Sequence, residues 1–153
     1  MIFQPVLYII GYLLSALSII LCIPAGIDAF YGNNQWQSFT FSSLISLFFG
    51  IILILANKSD NFNLSIKQTF LLTTLSWIFI AFFGSLPFIF SNLELSFTDA
   101  FFESMSGITT TGSTILSGLD NLPHGILIWR SLLQWIGGIG IIVIAISFLP
   151  VLK

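Results

Sequence analysis

Apolar and polar residues fall along this chain in long blocks, not in the short periods of a water-soluble domain. Four apolar blocks cover residues 6–27, 39–56, 69–90 and 125–152; Pro24 and Gly26 interrupt the first, and the third ends near Pro87. Each is close to the roughly 20 residues that a helix rising about 1.5 Å per residue needs to cross about 30 Å of hydrocarbon. An unpaired peptide group in lipid costs several kcal/mol, so these spans are predicted to be helical. Polar residues collect in the connections, DAFYGNNQWQ at 28–37 and NKSDNFNLSIK at 57–67. The pattern predicts an all-α integral membrane protein with four transmembrane helices.

The stretch 91–124 breaks the simple alternation of span and loop. It is long for a connection without structure of its own. Within it Phe97, Phe101, Phe102, Met105 and Ile108 recur at helical spacing. Ser96 precedes Asp99 by three positions, a capping-box-like start. A helix over 97–108 is too short to span, and that length suits a buried, re-entrant or interfacial helix.

Directly after it comes TTTGST at 109–114. A dehydrated cation needs oxygens in place of its water shell, and successive backbone carbonyls turned to one axis can supply them. Such a backbone needs unusual angles, which glycine adopts without a Cβ penalty. The preceding short helix would aim the negative end of its dipole at the ion. Alone, the six residues would pass for a polar turn, since Thr, Gly and Ser are common there. Their place between a short amphipathic helix and a spanning helix favours a re-entrant pore helix and filter loop, because non-helical backbone is tolerated at membrane depth where it lines a cavity.

Charged residues change the picture at a few positions. Asp99 and Glu103 lie one turn apart on the short helix and would either concentrate cations at a pore mouth or serve structure, Asp99 at the helix dipole and Glu103 hydrogen-bonded or solvated. Arg130 stands inside the fourth block, where an unpaired arginine at the bilayer centre would cost about 2.5–3.5 kcal/mol. It is expected to snorkel or to pair with Glu103 or Asp120, as a structural ion pair holding the short helix. His124, without a neighbouring His or Cys, reads as a helix-end residue and not a metal ligand; no transition-metal site is expected. Gly137, Gly138 and Gly140 in QWIGGIG read as helix packing, with a bend as the alternative. Trp36, Trp77, Trp129 and Trp135 are partly placed near predicted helix ends, where interfacial aromatics are common.

Composition agrees with the pattern. Hydrophobic residues make up 56% and charged residues 7%, against about 25% charged in a soluble domain. Four basic residues cannot form a nucleic-acid footprint. The single cysteine, Cys22, cannot form an internal disulfide and reads as a small apolar residue on a buried or lipid-facing helix. The first residues, MIFQPVLYII, lack a basic n-region, so the first block is read as a retained helix and not a signal peptide. Lys58, Lys67 and Lys153 fall on one side of an alternating path, and Asp28, Glu94, Asp99, Glu103 and Asp120 on the other. The positive-inside rule then puts both termini in the cytoplasm. Neither a Walker loop, a zinc motif nor a nucleophile elbow is present, and no enzyme chemistry or cofactor is expected.

Several strings are recognisable together: LPFIF at 86–90, TDAFFES at 98–104, GITTTGST at 107–114, GLDNLPH at 118–124 and LQWIGGIGII at 133–142. They closely resemble the TrkH/TrkG branch of the Trk/Ktr/HKT potassium transporters, and the likeness extends over the whole chain. The resemblance implies four helix–pore-loop–helix repeats around one potassium pore, preceded by two further helices. Here 1–60 would be those two helices and 61–153 the first repeat. Thr110, Thr111, Gly112 and Ser113 would supply one quarter of a potassium filter, supported by Thr109, Glu103 and Arg130. The family implies a bacterial cytoplasmic (inner) membrane location, a dimer, and a cytoplasmic nucleotide-binding regulatory partner. Its members carry all four repeats, so this chain is expected to be the N-terminal part of such a protein, needing the remaining repeats as partners. The alternative is a non-conducting membrane scaffold that associates through its glycine-rich helix.

Overall fold

The computed structural model describes residues 3–58 and 64–148, with side chains as far as 142. All regular structure among them is helical. Four helices are long and apolar enough to cross a membrane: α1 (Gln4–Phe30), α2 (Trp36–Ala56), α3 (Ile66–Phe90) and α5 (His124–Phe148). The short helix α4 (Phe97–Ile108) lies between the last two, and a single 3₁₀ turn, Leu119–Asn121, precedes α5. The predicted end of the last span at 152, Lys153, and the middle of the 57–67 connection lie outside the described residues.

Two prolines do not interrupt their helices as the hydropathy pattern suggests. Pro24 sits inside an unbroken α1, and Pro87 inside α3, which runs on to Phe90. Membrane helices tolerate proline because neighbouring groups satisfy the freed backbone. Helix α3 also starts earlier than its apolar block. Ser65 caps it in a reciprocal box: its hydroxyl accepts the Gln68 N–H at 3.3 Å, and the Gln68 side chain accepts the Ser65 N–H at 2.9 Å.

One end of the bundle gathers the end of α1, the start of α2, the end of α3 and the start of α5. Ser38 of α2 donates to the Phe90 carbonyl at 2.7 Å, satisfying one of the carbonyls that α3 leaves unpaired at its C-terminus. Tyr31 stacks on His124, with ring centroids 4.3 Å apart. Helices α1 and α2 pair through small residues. A Cβ on Gly11 would lie 2.8 Å from the Gly50 carbonyl oxygen, and one on Gly50 would lie 2.9 Å from that of Gly11. Lipid gives no hydrophobic drive for helices to associate, so backbone approach of this kind supplies the dispersion contact instead. Ser18 and Ser43 add a buried hydroxyl pair at 3.0 Å across the same seam.

Only one of the four tryptophans lies at a helix end. Trp36 opens α2, whereas Trp77 and Trp135 fall within α3 and α5. Trp129 is fully buried. It donates from Nε1 to the Gly84 carbonyl at 2.9 Å and packs edge-on to Phe39. It is a core residue that ties α5 to α3 and α2, not an interfacial anchor. A buried indole keeps its N–H paired because the loss would cost more than the bond contributes.

Candidate functional site: the re-entrant loop

Helix α4 begins at a cap and ends inside the bundle. The Ser96 hydroxyl accepts the Asp99 N–H at 3.2 Å and donates to Asp99 Oδ2 at 2.7 Å. The reciprocal half thus runs through the hydroxyl proton rather than the Ser96 amide. Asp99 sits in the first turn, where a carboxylate complements the helix dipole.

The far end of α4 reaches the middle of α5. A Cβ placed on Gly137 would collide with the Ile108 carbonyl oxygen, so only glycine lets the two backbones meet there. Gly107 packs on Leu133 in the same way, with 3.0 Å between its would-be Cβ and the Leu133 Cβ. Gly137 is thirteen positions after His124, about 20 Å down α5. The chain therefore descends half the depth of the spanning helices and returns through 109–118 to the end it came from. Among the described residues nothing lies within 4 Å of a Cβ placed on Gly138 or Gly140, so within that set Gly137 is the one of the three that packs against a neighbour.

The face that α4 turns to the protein is small and polar. Ala100, Glu103, Ser104, Ser106, Gly107 and Ile108 are buried, while Phe97 and Phe102 are exposed. Of the large apolar residues that revealed this helix in the sequence, Phe97 and Phe102 face outward, Phe101 and Met105 pack partly buried against the core, and Ile108 is fully buried.

Loop geometry is the most informative feature. Thr110 has φ +58° and Gly112 φ +76°, two left-handed residues separated by one. For a β-branched threonine this is a strained conformation, and strain of that kind collects at functional sites. Three consecutive amides turn back to the end of α4. Thr110 N–H donates to the Gly107 carbonyl at 2.9 Å, and those of Thr111 and Gly112 to the Ser106 carbonyl at 3.0 and 3.3 Å. In a trans peptide the carbonyl points opposite to the N–H. The carbonyls of Thr109, Thr110 and Thr111, which share those peptide units, are therefore directed away from α4. Residues 109–115 are exposed. The Ser113 carbonyl is turned the other way, accepting the Ser106 hydroxyl at 2.6 Å. Thr109 donates its hydroxyl to the Met105 carbonyl at 2.7 Å and lies 2.9 Å from the Thr111 hydroxyl.

Glu103 fastens the returning arm. It is 2% exposed. Thr114 donates its hydroxyl to the carboxylate at 3.0 Å, the Ile115 N–H donates at 3.2 Å, and Arg130 Nε donates to Oε1. Of the two partners the sequence offered Arg130, the structure selects Glu103; Asp120 is exposed within the 3₁₀ turn. The Arg130 side chain retains 14% exposure. Of the two roles open to the acidic pair, the geometry gives Glu103 a buried structural one and Asp99 the helix cap. Among the described residues no group of three or more His, Cys, Asp or Glu could hold a metal ion.

Sequence reasoning did not single out Ser106, whose carbonyl and hydroxyl both hold the loop, nor the anchoring hydroxyl of Thr114. Ser106 carries no signal in the sequence apart from its place one turn before the threonine run. Thr114 was visible only as part of that run.

Comparison with known proteins places these features in a family. A family model described as TrkH, cation transport protein, matches residues 35–153. The Trk system potassium uptake protein TrkH of Escherichia coli is 42% identical over 151 residues, covering 98% of this chain and 31% of that protein. An uncharacterized cation transporter of Methanocaldococcus jannaschii is 36% identical over 142 residues, covering 93% of this chain and 30% of its own length. The crystal structure of the potassium transporter TrkH from Vibrio parahaemolyticus superposes with a TM-score of 0.93 at 40% identity, over 98% of this chain and 32% of that one. The chain thus spans about a third of the length of the relatives it matches.

Proposed function

The chain belongs to the TrkH family of cation transport proteins, and from that membership we propose that it forms one wall of a potassium path within a potassium uptake protein. The observation that carries this reading is the alternation of left-handed residues at Thr110 and Gly112. With three amides tied to the end of α4, the carbonyls of Thr109, Thr110 and Thr111 face outward together. A desolvated monovalent cation is held by such oxygens. Thr110, Thr111, Gly112 and Ser113 remain the proposed filter residues, with Thr109, Glu103 and Arg130 in support. Ser113 would contribute through a carbonyl that also accepts from Ser106. The mechanism is permeation without covalent chemistry.

The proposal extends to architecture. Residues 1–60 are a helical hairpin that flanks a helix–pore-loop–helix unit over 61–153, and further such units complete the ring around the ion. The lysines at 58 and 67 favour a cytoplasmic loop between α2 and α3, so the filter loop enters from the opposite side of a bacterial inner membrane. A dimer and a cytoplasmic nucleotide-binding regulator follow from the family alone.

Expression of the whole gene in a bacterium lacking its own potassium uptake tests the reading. Growth at limiting potassium is expected to return. Gly112→Val is expected to abolish the preference for potassium over sodium. The harm comes from a β-branched residue forced to φ +76°. Unchanged potassium-over-sodium uptake in that variant would defeat the assignment.

A further inference from the structure

Asp28 stands in the last turn of α1, where the helix's own dipole disfavours an anion, and it is fully buried. Its side chain serves another helix. Oδ1 accepts the Gly125 N–H at 2.7 Å, in the first turn of α5, the end at which a negative charge is favoured. Helix α5 has no acidic residue of its own in that turn. The fit at Gly125 is close: a Cβ there would overlap Asp28 Oδ2 and lie 2.9 Å from the ring of Phe39. Oδ2 is buried without a hydrogen-bond partner among the described residues. A carboxylate held in so costly a setting needs a reason beyond the stability of α1.

We propose that Asp28 is a positioning residue for the filter loop, pinning the first turn of α5 and, through it, the chain of contacts from Arg130 to Glu103 to Thr114 and Ile115. The role in transport rests on the reading of 109–114 as a cation path. Arg130 follows Gly125 by five residues on one continuous helix, about 7.5 Å along its axis. Fraying or rotation at Gly125 therefore reaches the guanidinium that holds Glu103. Glu103 in turn fixes the hydroxyl of Thr114 and the amide of Ile115. In this arrangement α1 braces the returning arm of the loop through α5.

The test uses protein from the whole gene, purified in nanodiscs, as wild type, Asp28→Ala, Asp28→Asn and Ile10→Ala. Ile10 is a buried residue near the other end of α1 and controls for general loosening of that helix. Amide hydrogen exchange is read at Gly125 and Ile115, and rubidium against sodium uptake per molecule is read in vesicles. Asp28→Ala is expected to speed exchange at both amides about tenfold or more and to lower the preference for rubidium. Asp28→Asn keeps an oxygen acceptor and is expected to retain both properties within about threefold. Ile10→Ala is expected to leave both amides as in the wild type.

Faster exchange at Gly125 with none at Ile115 would overturn the proposal, because the clamp would then be local. Equal effects from Ile10→Ala would overturn it as well. Should Asp28→Ala not accumulate, Asp28→Ser, polar but too short to reach the amide, is read in its place against the same criteria. A wild type that carries no rubidium would sink the permeation reading, while exchange at Gly125 and Ile115 would still decide the role of Asp28.

Discussion

Removing the Glu103 carboxylate is the perturbation whose size follows most directly from the structure. Three donors meet it, from Thr114, Ile115 and Arg130, at a site 2% exposed. Breaking a buried ion pair by deleting one partner costs about 3–5 kcal/mol, and the residual exposure of Arg130, 14%, favours the lower half of that range. Glu103→Ala is therefore expected to weaken closure of the arm by about 3.5 kcal/mol, roughly three hundredfold. Glu103→Gln should cost far less. Its one oxygen can serve Arg130, and its amide can donate to the Thr114 hydroxyl oxygen, whose proton then turns to solvent because Thr114 is exposed, leaving the Ile115 amide without its acceptor. That is about 1.5 kcal/mol, or tenfold. Amide exchange at Ile115, measured on protein in nanodiscs with Ala100 on the buried face of α4 as internal reference, reads the difference. Exchange at Ile115 within threefold of wild type in Glu103→Ala would refute the claim that this carboxylate holds the loop.

Two further outcomes follow from the packing. Gly137→Ala is expected to lower the unfolding temperature sharply and to displace the loop, because the new Cβ collides with the Ile108 backbone carbonyl. Gly138→Ala, with no described residue within 4 Å of its would-be Cβ, should melt as the wild type does; parallel thermal unfolding in detergent separates the two. Trp129→Phe is expected to cost about 1–3 kcal/mol, since the Gly84 carbonyl loses its buried donor at 2.9 Å, and denaturant unfolding followed by the remaining tryptophans would measure it.

Hydropathy by itself determined the membrane class, the four spans and the short helix between the last two. Solvent dictates those features: a chain with 7% charged residues has few ways to satisfy its backbone in lipid other than helices. The strings around TTTGST also carried the family. Element ends were less legible, because they depend on local caps such as Ser65 with Gln68 and not on the mean apolarity of a window.

Tertiary structure decided everything that depends on one residue meeting another across the fold. Arg130 had two acidic candidates in the sequence, and only the descent of α4 brings Glu103 to it. Three glycines looked equivalent, yet only Gly137 faces the Ile108 carbonyl. Trp129 resembled a membrane anchor until α2 and α3 closed over it. Asp28 read as part of a polar connection, although its partner, Gly125, lies 97 positions further on. Hydropathy is a property of each residue against its solvent, whereas pairing is a property of two residues that only the assembled backbone brings together.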